Sequence, residues 1–138
     1  MTDTIAILGG GKIGEALLSG LLRGERGVDD IVVTERYPDR AAFLGEKYGV
    51  RVVDVATAAS HAATLIVAVK PQDIDGLLAE LAPAAHPGHL VVSVAAGVTI
   101  AHLEGALPEG VAVVRCMPNT PALVDQAMTA IAGGAHAD

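Results

Sequence analysis

Short apolar runs alternate along this chain with segments of helical periodicity. These runs, which are apolar except for Arg51 and Ser93, occupy positions 5–8, 31–33, 51–53, 65–69, 90–94 and 111–114. The runs at 65–69 and 90–94 are nearly continuous, which is typical of strands buried on both faces of a parallel sheet. Alternation of strands and helices through short connections predicts right-handed crossovers. The sequence therefore predicts a single α/β domain over residues 1–138, with a doubly wound, mostly parallel sheet of the Rossmann type.

The helix that follows residue 11 has apolar positions at the i, i+3, i+4, i+7 and i+8 spacing. This spacing predicts one buried face, made of Ile13, Ala16, Leu17, Gly20 and Leu21. Gly24 and Gly27 are expected to end this helix, because glycine favours helix termination.

Four further helices are predicted. One runs from Pro38 to about Tyr48, where Gly49 provides a left-handed C-terminal residue. Another covers about 56–61, one begins at Pro71, and a short one begins near Thr99. The helix after Pro71 is expected to bury side chains at helical spacing: Ile74, Leu77, Leu78 and Leu81.

The turn between the first strand and the first helix carries the pattern Gly-Gly-Gly-Lys-Ile-Gly at 9–14. Here Gly9 permits a tight turn, Gly11 lets a dinucleotide pyrophosphate approach the backbone, and Gly14 allows close packing of helix on strand. The free N–H groups and the dipole of the helix would favour the phosphate charge. Glycine is common in strand-to-helix turns, but the flanking strand and helix strengthen the prediction of a dinucleotide site.

Residues that follow the other strands are expected to share one rim with this turn, since ligands of doubly wound sheets bind beyond the carboxyl ends of the strands. These residues are Glu35, Arg36, Lys70, Pro71, Ala95, Ala96, Gly97 and the segment 116–121. The small residues at 95–97 would let a flat ring or a ribose lie against the backbone. Lys70 would place a cation near a phosphate or a carboxylate. Taken alone, Lys70 is better explained as a surface lysine, but its place at the end of a central strand reverses that preference.

Composition and charge exclude several other functions. The formal net charge of −7 over 138 residues argues against nucleic acid or an anionic membrane surface as a partner. Cys116 is the only cysteine, so no intrachain disulfide is possible, and the five histidines lack metal-ligand spacing. No apolar run reaches membrane-spanning length and no targeting segment is evident. We therefore expect a soluble cytoplasmic protein without a metal site.

Three segments carry a more specific resemblance. They are Val-Lys-Pro-Gln at 69–72, Ser-Val-Ala-Ala-Gly-Val-Thr-Ile at 93–100, and Arg-Cys-Met-Pro-Asn-Thr-Pro-Ala-Leu-Val at 115–124. In this order after the glycine turn, they closely resemble the nucleotide-binding domain of pyrroline-5-carboxylate reductases. The resemblance covers essentially the whole chain, and the last two segments are far more specific than the glycine turn.

The resemblance implies the last step of proline biosynthesis, in which NAD(P)H reduces the C=N bond of 1-pyrroline-5-carboxylate to give L-proline. A protonated ring imine is already a good electrophile, so such enzymes need positioning more than a dedicated acid, and we assign no catalytic residue. The resemblance places the pyrophosphate at 7–14, the ribose and nicotinamide side at 68–71, and the nicotinamide at 95–97 with Asn119. The predicted cofactor-binding residues are Ile7, Leu8, Gly9, Gly10, Gly11, Lys12, Ile13, Gly14, Glu35, Arg36, Ala68, Val69, Lys70, Pro71, Ala95, Ala96, Gly97 and Asn119.

Two nicotinamide cofactors fit the end of the second strand. The carboxylate of Glu35 would bind the 2′-hydroxyl of NAD and repel the 2′-phosphate of NADP. Arg36 and Arg40 would instead hold a 2′-phosphate, and many pyrroline-5-carboxylate reductases have an arginine at the position of Arg36. We favour NADP, on the expectation that Arg36 faces the ribose and Glu35 points away. For Arg40, pairing with a surface carboxylate is an equally good explanation.

The chain departs from the family at its end. The resemblance implies that family members continue into a helical domain that carries most of the substrate site and the dimer interface, and we expect this chain to lack that domain. We expect the chain to be a part of a longer, homo-oligomeric protein, or a truncated gene product, that binds cofactor but turns over substrate poorly or not at all. The alternatives are another NAD(P)-dependent reductase of the same superfamily, such as a hydroxyacid dehydrogenase relative, and a non-catalytic nucleotide-binding module.

Overall fold

The computed structural model describes residues 4–23, 27–94 and 99–115. In these ranges the chain forms strands and helices in strict alternation, apart from two one-turn 3₁₀ helices at Val28–Asp30 and Pro71–Asp73. The strands are β1 (Ile5–Leu8), β2 (Ile31–Thr34), β3 (Arg51–Val52), β4 (Thr64–Val67), β5 (Leu90–Ser93) and β6 (Ala112–Arg115). The helices are α1 (Lys12–Arg23), α2 (Pro38–Tyr48), α3 (Val55–His61), α4 (Ile74–Leu81) and α5 (Ile100–Ala106).

All strands form one parallel sheet in the order β3-β2-β1-β4-β5-β6. In this register Leu8 of β1 lies opposite Thr34 of β2 on one side and Val67 of β4 on the other. After β3 the chain returns to the centre of the sheet, so the winding direction reverses between β1 and β4. The predicted doubly wound Rossmann-type sheet is confirmed, and its switch point lies directly below the glycine turn.

The two faces of the sheet bury alternate side chains of each strand. One layer holds Ile5, Ile7, Ile31 and Val33 against the buried leucines of α1 and α2. The other layer holds Ala6, Leu8, Val32, Leu65 and Val67 against α3 and α4. Many of the core residues are Ala, Val, Leu and Ile with less than 2 % exposure. Each fully buried Val, Leu or Ile contributes roughly 1.5–3 kcal/mol to stability, so these layers hold the strand ends in place.

The predicted buried face of α1 is partly wrong. Leu17 and Leu21 are buried as expected, but Ile13 is 45 % exposed and Ala16 is exposed, while Leu18 is buried instead. The physical reason is the contact of Gly14 with the backbone of Gly9, which turns the face centred on Gly14 towards the sheet. This rotation leaves the preceding residue, Ile13, at the surface.

The ends of the helices follow their predicted signals. Gly49 ends α2 with a φ of +70°, and Pro71 begins the one-turn helix that leads into α4. Asp54 caps α3, because its Oδ1 accepts a hydrogen bond of 2.7 Å from the Thr57 N–H. A hydrogen bond with the Thr57 side chain, followed by this backbone bond, lowers the pKa of Asp54. Thr99 caps α5 in the same way by accepting from the His102 N–H. None of the helices described is both long enough and apolar enough to cross a membrane.

Candidate functional site

The carboxyl ends of four neighbouring strands, β2, β1, β4 and β5, are joined by backbone hydrogen bonds around the switch point. The Gly9 N–H donates to the Thr34 carbonyl at 3.0 Å, and the Ala68 N–H donates to the Leu8 carbonyl at 2.9 Å. The Val94 N–H donates to the Val67 carbonyl at 3.0 Å. The sheet therefore brings the glycine turn together with the residues after β2 and β4, as predicted.

The glycine turn requires glycine at its first and last positions. Gly9 has a φ of +121°, and a Cβ there would lie 2.9 Å from the Ala68 carbonyl oxygen. A Cβ on Gly14 would overlap the carbonyl oxygen of Gly9. These contacts confirm the tight turn and the close helix-to-strand packing expected of Gly9 and Gly14.

The space above Gly11 is open. Gly11 is exposed, and a Cβ built on it would have no described atom within 4 Å. The Glu15 N–H bonds to the Gly11 carbonyl at 2.8 Å and starts the helical pattern, so the N–H groups of Lys12, Ile13 and Gly14 have no partner within the helix. Unpaired donors at the positive end of a helix dipole suit a phosphate. The chemistry of this turn therefore fits a pyrophosphate.

Side chains hold the backbone of Gly10 on both sides. Its N–H donates to Glu35 Oε1 at 2.8 Å, and its carbonyl accepts from Arg40 Nε at 2.6 Å. A Cβ on Gly10 would lie 2.5 Å from Leu44 Cδ1, so α2 also approaches the turn closely. No local sequence pattern indicates these contacts, since they join residues 25 and 30 positions apart.

Glu35 bonds to the backbone with both carboxylate oxygens. Oε1 accepts from Gly10, and Oε2 accepts from the Tyr37 N–H at 3.0 Å. The sequence offered this carboxylate as a partner for a ribose hydroxyl. In the structure it connects the glycine turn to the residue that precedes α2.

Arg36 and Arg40 occupy different environments. The Arg36 side chain is 70 % exposed, lies 3.5 Å from Asp73 and passes 5.8 Å from the centre of the Tyr37 ring. An exposed ion pair of this kind contributes about 0–1 kcal/mol, so Arg36 is free to reorient at the rim. Arg40 instead bonds to Gly10 and, through Nη2, to Glu15 Oε1 at 2.6 Å, with its guanidinium over Phe43. Of the two explanations for Arg40, the structure shows the carboxylate pairing.

Glu15 is the centre of a cluster that joins α1 to α2. Its Oε2 accepts from the Tyr48 hydroxyl at 2.6 Å and from Lys47 Nζ at 3.0 Å, while Oε1 accepts from Arg40. The Tyr48 hydrogen bond, followed by Lys47 and Arg40, lowers the pKa of Glu15 from 4.5 to about 2, against a smaller opposing effect of burial. Glu15 is therefore ionised throughout the neutral and mildly acidic range.

The remaining predicted site residues occupy different environments. Ile7 and Leu8 are fully buried, so their side chains support the turn from inside the core. Lys12 and Lys70 are exposed at the rim, and Ala68 and Val69 lie against Gly9. Pro71 begins the one-turn helix after β4. Ala95, Ala96, Gly97, Asn119 and the segment 116–121 lie outside the described residues.

Residues 4–97 match the family model described as NADP oxidoreductase coenzyme F420-dependent. The chain belongs to this family. Its doubly wound sheet and glycine turn are consistent with a nucleotide-dependent oxidoreductase.

Individual proteins that are similar to this chain carry a more specific name. The chain is 51% identical over 135 residues to the pyrroline-5-carboxylate reductase of Mycobacterium leprae (strain TN), which covers 94% of this chain and 46% of that protein. The solved structure of a pyrroline-5-carboxylate reductase from Coxiella burnetii matches with a TM-score of 0.81 and 35% identity, over 90% of this chain and 47% of that one. The chain thus spans about half the length of the curated relatives it matches.

A third comparison supports the fold. The Plasmodium falciparum pyrroline carboxylate reductase, solved with NADP bound, matches with a TM-score of 0.75 and 22% identity, over 88% of this chain and 44% of that one. At this identity the likeness concerns the arrangement of strands and helices alone.

Proposed function

We propose that this chain is the NADP-binding part of a pyrroline-5-carboxylate reductase. The observation that carries the proposal is the glycine turn at the switch point, with Gly14 packed on Gly9 and open space above Gly11. The identity to proteins of that name supports the choice of reaction. By the same resemblance, we propose a helical second domain in the whole protein, which acts as a cytoplasmic homo-oligomer on a small-molecule substrate.

Specific residues would hold the cofactor. Residues 7–14 would support and bind the pyrophosphate, and Arg36 would face the adenosine ribose while Glu35 supports the turn beside it. Residues 68–71 would line the side nearest the nicotinamide ribose, and 95–97 with Asn119 the nicotinamide. When bound, the reduced cofactor supplies the hydride that converts the ring imine of 1-pyrroline-5-carboxylate into L-proline.

The contribution of the chain to this reaction is positioning. The glycine turn is fixed to the sheet through Gly9 and to α1 through Gly14, so its N–H groups are oriented before a ligand arrives. A protonated imine needs no nucleophile from the protein. We therefore assign these residues to binding and orientation, and none to acid or base catalysis.

The preference for NADP is argued from Glu35 and Arg36. Both oxygens of Glu35 already accept backbone N–H groups, whereas Arg36 is exposed and weakly paired beside it. A guanidinium binds a phosphate through two parallel hydrogen bonds, and NADH offers no such group at the 2′ position. Arg36 would thus select NADPH.

Fluorescence titration of the chain with NADPH and with NADH tests this function. We expect tighter binding of NADPH, and the Arg36→Ala variant should weaken NADPH binding by about tenfold, the value of one charge-assisted contact, while NADH binding stays the same. Arg51→Ala is the matched control, because Arg51 is exposed on β3 and has no polar contact with the described residues. Equal weakening of both cofactors by Arg36→Ala would contradict the NADP assignment.

The same sample then receives 1-pyrroline-5-carboxylate while nicotinamide absorbance is followed. We expect bound NADPH to persist, since the proposal places most of the substrate site in the second domain. Rapid oxidation would show that this chain alone is sufficient for turnover. Failure of the wild-type chain to bind either cofactor would overturn the proposed function.

A further inference from the structure

The structure holds Arg40 between two groups that belong to the glycine turn and its helix. We infer that Arg40 is a positioning residue for pyrophosphate binding, which acts through the Gly10 peptide and does not contact the 2′-phosphate. This inference rests on the proposed function and deepens it. It also divides the two arginines after β2 between two tasks.

The Gly10 carbonyl and the Gly11 N–H belong to the same planar peptide. The carbonyl accepts from Arg40 Nε at 2.6 Å, so Arg40 fixes this plane and with it the direction of the Gly11 N–H. The Gly10 N–H belongs to the preceding peptide and donates to Glu35 Oε1 at 2.8 Å. Arg40 and Glu35 thus hold the two peptides on either side of the Gly10 Cα.

Arg40 is itself anchored by Glu15 and Phe43. Its Nη2 donates to Glu15 Oε1 at 2.6 Å, and its guanidinium lies 5.0 Å from the centre of the Phe43 ring. Glu15 is held in turn by Tyr48 and Lys47. Arg40 is only 31 % exposed, compared with 70 % for Arg36. The fork is therefore part of a fixed network, and its geometry is set before any ligand binds.

The alternative role for Arg40 is direct contact with the 2′-phosphate of the cofactor. A contact with the 2′-phosphate that used Nε and Nη2 would require Arg40 to release both Gly10 and Glu15. Release would leave the Gly10 carbonyl and one Glu15 oxygen without their donor, which costs free energy in a partly buried site. Arg36 can reach the rim without breaking any comparable contact. The two arginines are thus assigned to different parts of the cofactor.

The test compares ligands that contain different parts of NADPH. NADPH and NADH share the pyrophosphate, whereas adenosine 2′-monophosphate carries the 2′-phosphate without it. Arg40→Ala should weaken NADPH and NADH by the same factor, roughly tenfold, the order expected for a residue one contact removed from the ligand. Binding of adenosine 2′-monophosphate, followed by NMR, should change by less than about twofold. Arg36→Ala should instead weaken binding of NADPH and of adenosine 2′-monophosphate and leave NADH binding unchanged.

Conservative variants separate positioning from folding. Arg40→Lys keeps the charge but has one donor atom in place of the fork, so we expect an intermediate and equal loss for both cofactors. Thermal unfolding checks that each variant is folded, and Arg51→Ala controls for net charge. If Arg40→Ala does not fold, Arg40→Lys carries the same comparison.

The outcomes are distinct. A loss for NADPH and adenosine 2′-monophosphate with NADH unchanged would overturn this inference and assign Arg40 to the 2′-phosphate. Unchanged binding of all three ligands by a folded variant would also overturn it. In both cases the wild-type chain binds cofactor and the proposed function stands, whereas a wild-type chain that binds neither cofactor refutes the proposed function and the inference together.

Discussion

Gly14 is the residue at which a single methyl group has the largest expected effect on the turn. A Cβ there would overlap the Gly9 carbonyl oxygen, which is backbone and cannot rotate away. We predict that Gly14→Ala moves α1 off β1, lowers the free energy of unfolding by about 1–3 kcal/mol, and abolishes measurable cofactor binding. Urea denaturation and NADPH titration measure the two effects.

Two other glycines provide controls for this prediction. Gly11→Ala places its Cβ in open space, so stability should change by less than about 0.5 kcal/mol while cofactor binding still weakens. Gly76 lies in α4, where none of the described residues outside its own helix backbone comes within 4 Å of its Cβ position, and Gly76→Ala should raise stability by about 0.5–1 kcal/mol. If Gly14→Ala were as stable as Gly11→Ala, the packing role of Gly14 would be wrong.

Between elements, the contact of α1 with α2 depends on an ionised Glu15. Its pKa is about 2 in the folded chain and 4.5 ordinarily, so the unfolded chain binds the proton more readily. The stabilisation is therefore complete above the ordinary pKa and is lost as the pH falls from about 5 towards 2. We predict that Glu15→Gln lowers the free energy of unfolding by about 1 kcal/mol at neutral pH and that this difference disappears in acid.

Glu46→Gln is the matched control for this pH dependence. Glu46 is exposed on α2 and has no hydrogen bond or ion pair with the described residues. Its variant should follow the wild-type curve of unfolding free energy against pH. A difference between Glu15→Gln and wild type that persists at the lowest pH would show that the carboxylate charge is not what stabilises the α1–α2 contact.

The sequence could predict the elements more fully than the contacts between them. Short apolar runs and period-3.6 patterns, with signals such as Gly49, predicted all six strands and five helices of the described ranges, because burial of apolar side chains decides local structure there. The face of α1 was predicted incorrectly, since Ile13 is apolar yet turned outwards by the Gly14 contact. The Glu15 cluster was missed because its partners lie 25 to 33 positions away on another helix.

On the scale of the whole molecule, the two ends of the parallel strands have different roles. The glycine turn and the arginines of the candidate site lie at the carboxyl ends. A buried histidine lies at the amino end of β5, directly before that strand. His89 is 2 % exposed, its Nε2 donates to the Ala59 carbonyl at 2.8 Å, and its Nδ1 accepts from the His86 N–H at 3.1 Å. These two bonds fix the neutral tautomer and join α3 to the connection before β5.

Burial of His89 predicts a second pH dependence that does not involve the site. Burial lowers the pKa of His89 below its ordinary value of 6.5, so the unfolded chain binds the proton more readily. Its stabilisation is thus present above about 6.5 and is lost as the pH falls below that value, before Glu15 titrates. We predict that His89→Gln removes the fall in unfolding free energy between about pH 7 and 5, while NADPH affinity at neutral pH is unchanged.

His61→Gln, at an exposed position on α3, is the control and should retain the wild-type fall in unfolding free energy. An unaltered pH profile for His89→Gln would show that another group controls stability in this range. A loss of NADPH affinity would show that the amino end of β5 is coupled to the site at the carboxyl ends of the strands.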